Sequence, residues 1–264
     1  MNSMLLKEAI NKSFSRQAGT YTRHADVQAR SAAYLAQFIS GSSQKLPPGS
    51  VLEIGCGTGL FTKHLLSMFS DRVVVASDVS ESMLAQCQAL ASNSSTQLKF
   101  SLLDADNCQS DERYALITAS FSLQWVTNIL ATVEKLLDHL KPDGQLIFTV
   151  PLNSSFGEWR RQCAAAGVPF TGNNLPDKNE LVDWCKENSL TVEWQQQPIV
   201  CYYSDPIEFF RSLKGAGAAT STRGITLTQK ELRRLIQVWK ETSKNDVQVT
   251  YDVLCARITR GYDK

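Results

Sequence analysis

Residues 51 to 59, Val-Leu-Glu-Ile-Gly-Cys-Gly-Thr-Gly, constrain the fold of this chain more than any other stretch. The apolar residues around Glu53 are typical of a short buried strand, and apolar side chains recur at helical spacing after the turn. Gly55, Gly57 and Gly59 fall between strand and helix. Because glycine has no Cβ, the backbone there can take a positive φ and approach a ligand closely, beside the free amides of a helix N-terminus. The stretch predicts a turn that cradles a nucleotide-like ligand.

The spacing of the glycines separates two ligand classes. A dinucleotide fingerprint, G-x-G-x-x-G, would need its third glycine at position 60, which is Leu60. The third glycine is instead Gly59, and the form Glu-x-Gly-x-Gly-x-Gly resembles motif I of the class I S-adenosylmethionine methyltransferases. That resemblance implies that Glu53 orients the cationic end of S-adenosylmethionine. Taken alone, such a loop is also compatible with a tight turn in another α/β protein.

A second strand is predicted from Arg72 to Asp78, a β-branched run that ends in an acid. A carboxylate at the end of this strand can accept hydrogen bonds from both ribose hydroxyls of a nucleoside. Taken without the glycine turn before it, an acid such as Asp78 more often only solubilises the end of a strand. Ser80 is a plausible N-cap of the following helix, and the resemblance implies that Met83 lies beside the adenine.

A third strand, Leu98 to Leu103, is predicted to end in Asp104-Ala105-Asp106. The resemblance places the contact to the adenine amino group at this point of the chain. It implies that Asp104 makes the contact and that Ala105 also belongs to the cofactor site. For Asp106 we expect a solvated loop acid with no role in the site.

The remaining strands complete an alternation of strands and helices. Tyr114 to Ser120 and Gly144 to Val150 are predicted as the fourth and fifth strands, with a Leu-rich helix between them. Such alternation predicts a parallel sheet, in which ligands bind beyond the carboxyl ends of the strands. The candidates at those ends are Gly55, Asp78, Asp104 and Ser120. We therefore expect a Rossmann-like class I methyltransferase, with a mostly parallel seven-stranded sheet, helices on both faces and a helical lid.

Segments outside this core suggest the domain organisation. Residues 1–50 are predicted to form the N-terminal helical lid, and residues 51–264 the S-adenosylmethionine-binding domain. Within that domain, 151–176 is predicted to be an insertion on the substrate side and 205–245 a further helical excursion. The strands predicted to finish the sheet are Leu190 to Tyr203 and Val247 to Ile258.

Composition excludes several other classes of protein. The 264 residues, 43% of them hydrophobic, suffice for one large domain, and a net charge of +1 disfavours a dedicated nucleic-acid binder. The seven cysteines are an odd number with no C-x-x-C pair, so we expect reduced, mostly buried thiols. The histidines show no metal-ligand spacing, so no metal is expected. No apolar run approaches the length of a membrane span, and we expect a cytoplasmic protein.

Three segments outside the glycine turn narrow the family. Residues 14–21 followed by 24–28, then Ser-Leu-Gln-Trp at 122–125 and Phe-Arg-Ser-Leu-Lys-Gly-Ala-Gly-Ala at 210–218, carry the similarity. They resemble the malonyl-acyl-carrier-protein O-methyltransferases of biotin synthesis, and the resemblance spans nearly the whole chain. One departure is Ser120, where members of that family carry Asn, so the polar contact at that position is expected to differ.

The resemblance implies methyl transfer from S-adenosylmethionine, consumed as co-substrate, to the free carboxylate of a malonyl thioester. With a pKa of about 4, that carboxylate is already ionised at neutral pH, so no general base is needed. A buried anion needs a partner, and Arg211 is the candidate; a surface ion pair with Glu208 is the alternative for its side chain. Tyr21 is the second catalytic candidate, as an aromatic that covers the methyl group, and helix packing is the alternative.

The substrate implies an acyl carrier protein as partner, and an acidic carrier would favour a basic face. An ordinary solvated helix face is the alternative for these residues. The basic residues of the C-terminal third are Arg211, Lys214, Arg223, Lys230, Arg233, Arg234, Lys240 and Lys244. Two rival functions stay open: a methyltransferase for another small-molecule carboxylate, and a catalytically silent S-adenosylmethionine-binding module.

Overall fold

The computed structural model describes residues 3–41, 45–90, 97–108, 112–243 and 246–260. Its strands are β1 Val51–Ile54, β2 Val74–Asp78, β3 Leu98–Leu102, β4 Tyr114–Ser120, β5 Leu140–Pro151, β6 Leu190–Tyr203 and β7 Val247–Arg260. Its α-helices are α1 Ser3–Gln17, α2 Tyr21–His24, α3 Asp26–Ser40, α4 Thr62–Met68, α5 Glu81–Leu90, α6 Ile129–Asp138, α7 Gly157–Ala166, α8 Lys178–Glu187, α9 Pro206–Gly215 and α10 Gln229–Thr242. Short 3-10 helices cover Ala105–Asn107 and Leu123–Trp125.

The strands form one seven-stranded sheet in the order β3-β2-β1-β4-β5-β7-β6. The first five strands of the chain run parallel, whereas β7 pairs antiparallel with both β5 and β6. The strand order reverses between β1 and β4, and such a reversal opens a crevice at the carboxyl ends of the strands. The predicted seven-stranded, mostly parallel sheet is confirmed.

Successive residues of the central strands are buried on opposite faces of this sheet. In β4, Leu116 belongs to one apolar cluster and Ile117 to the other, and Ile147 and Phe148 of β5 divide in the same way. Because side chains alternate along a strand, both faces of the sheet need a cover of helices. Helices α3, α4, α7 and α10 contribute to the first cluster, and α6 and α8 to the second. The predicted helices on both faces are therefore present.

Some strand boundaries differ from the predicted ones. The strand predicted from Arg72 starts at Val74, and the Nη1 of Arg72 donates instead to the carbonyl of Pro47 at 2.6 Å. This bond anchors the segment that leads into β1. The fifth strand starts at Leu140, before the predicted Gly144.

The N-terminal helices divide between the core and the crevice. Leu35 of α3 is fully buried, and the hydroxyl of Ser31 donates to that of Thr149 on β5 at 2.8 Å, so α3 is a core helix. Helix α1 contacts the start of α5, where the hydroxyls of Ser15 and Ser80 lie 2.9 Å apart. Of the predicted lid, α1 and α2 are thus the parts that lie over the crevice. The division of the chain at residue 50 stays a prediction.

Aromatic rings pack the predicted excursion of residues 205–245 onto the rest of the fold. Phe209 of α9 is fully buried, and its ring centroid lies 5.4 Å from that of Trp159 and 5.7 Å from that of Trp239. Asp205 caps the N-terminus of α9 through its carboxylate. The three rings join α9 to α7 and α10 in one apolar cluster.

Truncation of Phe209 should therefore destabilise the whole fold. We expect Phe209→Ala to lower the free energy of unfolding by about 3–5 kcal/mol, because the lost ring leaves a cavity between three elements. Urea denaturation measures the change. The matched control is Tyr202→Ala on the adjacent strand, where the side chain is 66% exposed and the expected change is under about 0.5 kcal/mol. Equal effects of the two changes would contradict the packing described.

Candidate active site

A cavity of about 150 Å³ lies at the carboxyl ends of β1, β2, β3 and β4. Helix α1 contributes Lys7, Ile10 and Phe14 to its lining, and the following two helices contribute Tyr21 and Gln28. The structure thus brings most of the predicted cofactor residues together. Those that line the cavity are Glu53, Gly55, Gly57, Asp78, Met83, Asp104, Ala105 and Ser120.

The three glycines of the turn have different surroundings. Gly55 has a φ of 69°, and a Cβ there would lie 2.5 Å from the Cβ of Ser122, so only glycine fits without a shift. Gly57 also has a positive φ, but a Cβ there would meet nothing within 4 Å. Gly59 does not line the cavity; its φ is 89° and its amide donates to the carbonyl of Cys56 at 2.9 Å. Gly59 therefore shapes the turn, while Gly57 faces open space.

Glu53 is a buried carboxylate at the base of the turn. Its side chain accepts a hydrogen bond from the hydroxyl of Thr62 at 2.6 Å, and the residue is only 1% exposed. Burial raises the pKa of Glu53 to about 8, with smaller contributions from Cys87 and Asp78, while the bond from Thr62 opposes the rise. In the free protein, Glu53 is therefore largely protonated at neutral pH, and a cation beside it would favour the ionised form.

Asp78 ends β2 and holds the turn in place. One carboxylate oxygen accepts from the amide of Gly57 and the other from the amide of Ser80, each at 2.9 Å. Burial raises the pKa of Asp78, although these backbone amides oppose the rise. The hydroxyl of Ser80 accepts from the amide of Met83 at 3.3 Å, as the predicted N-cap. Met83 is fully enclosed and lines the same cavity.

The expectation that Asp106 is a solvated loop acid is wrong. Its carboxylate accepts from the amide and hydroxyl of Thr127, at 2.9 and 2.8 Å, and from the hydroxyl of Thr132 at 2.8 Å. Lys7 of α1 pairs with it at 2.6 Å and with Asp104 at 2.7 Å. Burial opposes ionisation of Asp106, but the hydrogen bonds from Lys7 and the threonines outweigh it and lower the pKa. Asp106 therefore anchors the end of β3 to α6, and Lys7 ties α1 to both acids.

A second cavity, of about 380 Å³, adjoins the first. The rings at the junction pack on one another: the centroid of Phe14 lies 5.3 Å from that of Trp125 and 6.3 Å from that of Tyr21. Across the described ranges, neither the Tyr21 hydroxyl nor the Gln28 amide has a hydrogen-bond partner. The residues that line both cavities are Phe14, Tyr21, Gln28, Phe121 and Trp125.

The predicted catalytic candidate Tyr21 thus lies at the junction of the two cavities. Burial raises its pKa well above the usual range for a tyrosine, and the charge of Asp78 adds to the rise. The hydroxyl consequently stays protonated at neutral pH and can donate a hydrogen bond. The ring of Tyr21 packs against that of Phe14, as the packing alternative predicts, and the catalytic role of Tyr21 stays a prediction.

Arg211, the other predicted catalytic residue, is not brought to either cavity. It is exposed and lines a separate surface depression that also includes Glu208. Phe210, Ser212 and Lys214 of α9 line the second cavity, but Arg211 does not. Hydrogen bonds from Ser204 lower the pKa of Glu208, and the charge of Arg211 adds to this. The assignment of Arg211 to the substrate carboxylate is not supported by this geometry.

Sequence reasoning missed two polar residues of the site. Lys7 could not have been found, because nothing local signals that α1 crosses the ends of distant strands. Gln28 did carry a signal: it precedes the buried Ala32 and Leu35 by four and seven residues, on the apolar face of α3. A polar residue on such a stripe often faces a cavity.

The predicted basic face does not form one surface. Lys214 lines the second cavity, and Lys240 pairs with Asp205 at 3.5 Å. Arg223 and Arg234 donate to carbonyls of the loop after α7. Lys230 and Arg233 are exposed on α10, and Lys244 lies outside the described residues.

The cysteines and the remaining acids suggest no further chemistry. All seven cysteines are buried and free, as expected. In the described part of the chain, no group of His, Cys, Asp or Glu side chains could hold a metal ion. The helices of the same part include none that is long and apolar enough to cross a membrane.

The first cavity fits S-adenosylmethionine on two observations. Glu53 is a buried carboxylate that has no cation against it among the described residues, and an ammonium group would supply one. Gly57 leaves the space above the turn open, where a side chain would fill it. Asp78 would hold the ribose hydroxyls, and Asp104 and Ala105 the adenine. Fold and cavity together define an S-adenosylmethionine-dependent methyltransferase of the Rossmann-like class I.

Comparison with known proteins narrows this class. Residues 22–195 match the family described as "Methyltransferase domain". The chain is 31% identical over 256 residues to the malonyl-[acyl-carrier protein] O-methyltransferase of Magnetococcus marinus, an alignment that covers 96% of this chain and 93% of that protein. The chain belongs to the family of malonyl-[acyl-carrier protein] O-methyltransferases.

Solved structures share the fold at low sequence identity. The YcgJ protein of Bacillus subtilis superposes with a TM-score of 0.62 at 12% identity, over 87% of this chain and 100% of that one. The N-methyltransferase NodS of Bradyrhizobium japonicum, solved with S-adenosyl-L-homocysteine, gives a TM-score of 0.53 at 14% identity, over 96% and 99% of the two chains. These likenesses establish the architecture.

The raised pKa of Glu53 has a measurable consequence for stability. Its pKa of about 8 in the folded state exceeds the ordinary glutamate value of 4.5, so the folded state binds the proton more tightly and this residue's contribution to stability falls as pH rises from 4.5 to 8. We expect Glu53→Gln, relative to the natural chain, to gain roughly 2–5 kcal/mol of unfolding free energy between about pH 5 and pH 8.5. Denaturant unfolding without ligand measures this difference.

The effect of replacing the Thr62 hydrogen bond to the protonated carboxyl group is the same at every pH and cancels in that comparison. Saturating S-adenosyl-L-homocysteine, which brings an ammonium group, should shrink the pH-dependent gain. A difference between the two proteins that stays constant with pH would show that Glu53 is ionised throughout.

Proposed function

We propose that this protein transfers a methyl group from S-adenosylmethionine to the free carboxylate of a malonyl thioester carried on an acyl carrier protein, forming the malonyl methyl ester used in biotin synthesis. The observation that carries the proposal is the second cavity, which joins the cofactor cavity at Tyr21 and Gln28. A relative of this chain is named for that substrate. The cavity gives an acyl group a route to the cofactor.

The junction offers neutral donors to a carboxylate. The Tyr21 hydroxyl stays protonated, and the Gln28 amide has no partner within the described residues. Both can hold one carboxylate oxygen while the other is left to attack. Neither side chain needs to remove a proton, because the malonyl carboxylate is ionised at neutral pH.

The aromatic lining supports this reaction electrostatically. Bound S-adenosylmethionine supplies a methyl group on a positively charged sulfur. Phe14, Phe121 and Trp125 surround the junction with apolar surface, in which opposite charges attract strongly and their neutralisation is favoured. The cation required by the buried carboxylate thus comes from the co-substrate, and an arginine at the junction is not needed.

Helices α1 and α2 exclude water from the junction by closing against the end of α9. The hydroxyl of Ser13 donates to the carbonyl of Gly217 at 3.1 Å. A Cβ at Gly217 would lie 2.6 Å from the Phe14 ring, and one at Gly215 would lie 2.4 Å from the His24 ring. The missing side chains allow this contact, so residues 215–217 act as the seat of the lid.

Single-turnover transfer of labelled methyl tests the function. The chain, loaded with labelled S-adenosylmethionine, is mixed with malonyl or acetyl forms of the same acyl carrier protein. Base-labile label on the malonyl form alone would support carboxyl methylation. No label on either form, with the cofactor still bound, would exclude this function and favour another small-molecule carboxylate or a silent binding module.

The junction can be probed at Gln28. We expect Gln28→Leu to lower kcat/KM for the malonyl substrate about 10- to 100-fold, the range for one lost hydrogen bond to a charged group. Affinity for S-adenosyl-L-homocysteine should change by less than about threefold. The control is Gln37→Leu, an exposed position on the same helix. Unchanged kinetics in Gln28→Leu would remove this residue from the carboxylate site.

The seat of the lid can be probed at Gly215. Gly215→Ala should favour helix α9 by up to about 1 kcal/mol, yet its Cβ must displace the His24 ring and with it α2. We therefore expect an unchanged or raised midpoint of thermal unfolding together with a several-fold loss of kcat. His24→Ala in the Gly215→Ala background should restore activity, because it removes the obstructing ring. A Gly215→Ala protein with full activity would show that the seat tolerates a side chain.

A further inference from the structure

Two arginines stand at the loop that follows α7, beside the second cavity. The Nη1 of Arg223 donates to the carbonyls of Phe170 and Gly172, at 3.2 and 3.4 Å. The guanidinium carbon of Arg160 lies 3.9 Å from the centroid of the Phe170 ring. Both side chains are exposed. Phe170 thus contacts both guanidinium groups, and the Nη2 of Arg160 also donates to the carbonyl of Asn153 at 3.4 Å.

These arginines contact the loop at the edge of the cavity without lining the cavity themselves. Gly172 and Asn173 line it, and Phe170 packs on Trp159, which also lines it, with ring centroids 4.7 Å apart. The Asn173 amide donates to the carbonyl of Thr220 at 3.0 Å. Its oxygen accepts from the amide of Thr222 at 2.8 Å. The loop is therefore fixed to the segment before Arg223.

The two guanidinium groups have no acid between them. Burial lowers the pKa of Arg160, and the charge of Arg223 lowers it further, which shows that the two cations repel. Throughout the described residues, no Asp or Glu lies within 4.0 Å of either one. The neighbouring Arg161 differs, because its charge helps to lower the pKa of Glu158. Carbonyls of the loop hold Arg223, and the Phe170 ring and the Asn153 carbonyl hold Arg160. Two like charges brought to the same loop residue favour an anion shared by both.

We propose that Arg160 and Arg223 bind the phosphate group of the arm that carries the malonyl thioester into the second cavity. The inference rests on the proposed function, because the arm of an acyl carrier protein or of coenzyme A joins its thioester to a phosphate. Planar guanidinium groups match the geometry of phosphate oxygens. The acyl group occupies the cavity and the phosphate binds at its edge, so Arg160 and Arg223 select substrates that carry a phosphate group.

The experiment compares three malonyl thioesters: those of pantetheine, which has no phosphate, of coenzyme A and of the acyl carrier protein. The test variant is Arg160→Gln/Arg223→Gln. The matched control is Arg161→Gln, on the same helix as Arg160. It removes one positive charge, whereas the double variant removes two. Each protein is checked for an unchanged midpoint of thermal unfolding before kinetics.

We expect the double variant to raise KM about 10- to 100-fold for both phosphate-bearing substrates, with kcat unchanged, as two charge-assisted bonds are lost. KM for malonyl-pantetheine should stay within about twofold, and Arg223→Lys alone should give an intermediate loss. A shift for coenzyme A and the carrier alike identifies the phosphate as the shared ligand.

Two outcomes would overturn the proposal. An equal loss with malonyl-pantetheine would mean that the arginines only shape the loop. A loss confined to the carrier protein, with coenzyme A unaffected, would mean that they contact the surface of the carrier and not a phosphate. If the natural chain methylates none of the three thioesters, the proposed function itself fails, and that result is distinct from both.

Discussion

The buried carboxylates of Glu53 and Asp78 are the constraint on which the rest of the site depends. Across the described residues, neither has a cation beside it, and burial raises the pKa of both. The Asp78 carboxylate accepts hydrogen bonds from the Gly57 and Ser80 amides. The carboxylate that faces the cofactor cavity therefore also fixes the glycine turn. A cationic ligand would relieve the cost of burying these charges. The fold thus stores an unfavourable electrostatic arrangement that S-adenosylmethionine is suited to relieve.

On the substrate side, the polar groups at the junction are neutral and not charged. Its junction with the cofactor cavity is aromatic, with the neutral donors Tyr21 and Gln28 as the polar groups shared by both spaces. Charges that vanish during the reaction need apolar surroundings more than a fixed counter-ion, and a permanent cation would compete with the sulfonium for the carboxylate. Permanent positive charge lies outside the junction, on Lys214 in the lining of the second cavity and on Arg160 and Arg223 at its edge, where the proposed phosphate keeps its charge throughout the reaction. Neutral groups therefore surround the charges that disappear during methyl transfer, and fixed cations lie near the phosphate, whose charge does not change.

The sequence motifs predicted the features whose geometry depends on residues that are close together in the chain. Glu53, the glycine turn, Asp78 and the alternation of strands and helices could be predicted because spacing along a strand-turn-helix unit fixes their geometry. Residues brought by distant elements could not: Lys7 reaches Asp104 and Asp106 from a helix nearly a hundred residues away. For Arg211, α9 lies beside the second cavity but the side chain is exposed outside it, so the catalytic role of Arg211 stays a prediction that the geometry does not support. Side-chain direction in a helix depends on tertiary packing, which sequence similarity does not carry.

A crystal structure of the protein with S-adenosyl-L-homocysteine and the malonyl thioester of pantetheine would test the proposed reaction most directly. We expect the ammonium group of the cofactor product at Glu53, and the malonyl carboxylate within hydrogen-bond distance of the Tyr21 hydroxyl and the Gln28 amide. The thioester would then occupy the second cavity. A carboxylate bound to Arg211 in the outer depression, with the second cavity empty, would contradict it.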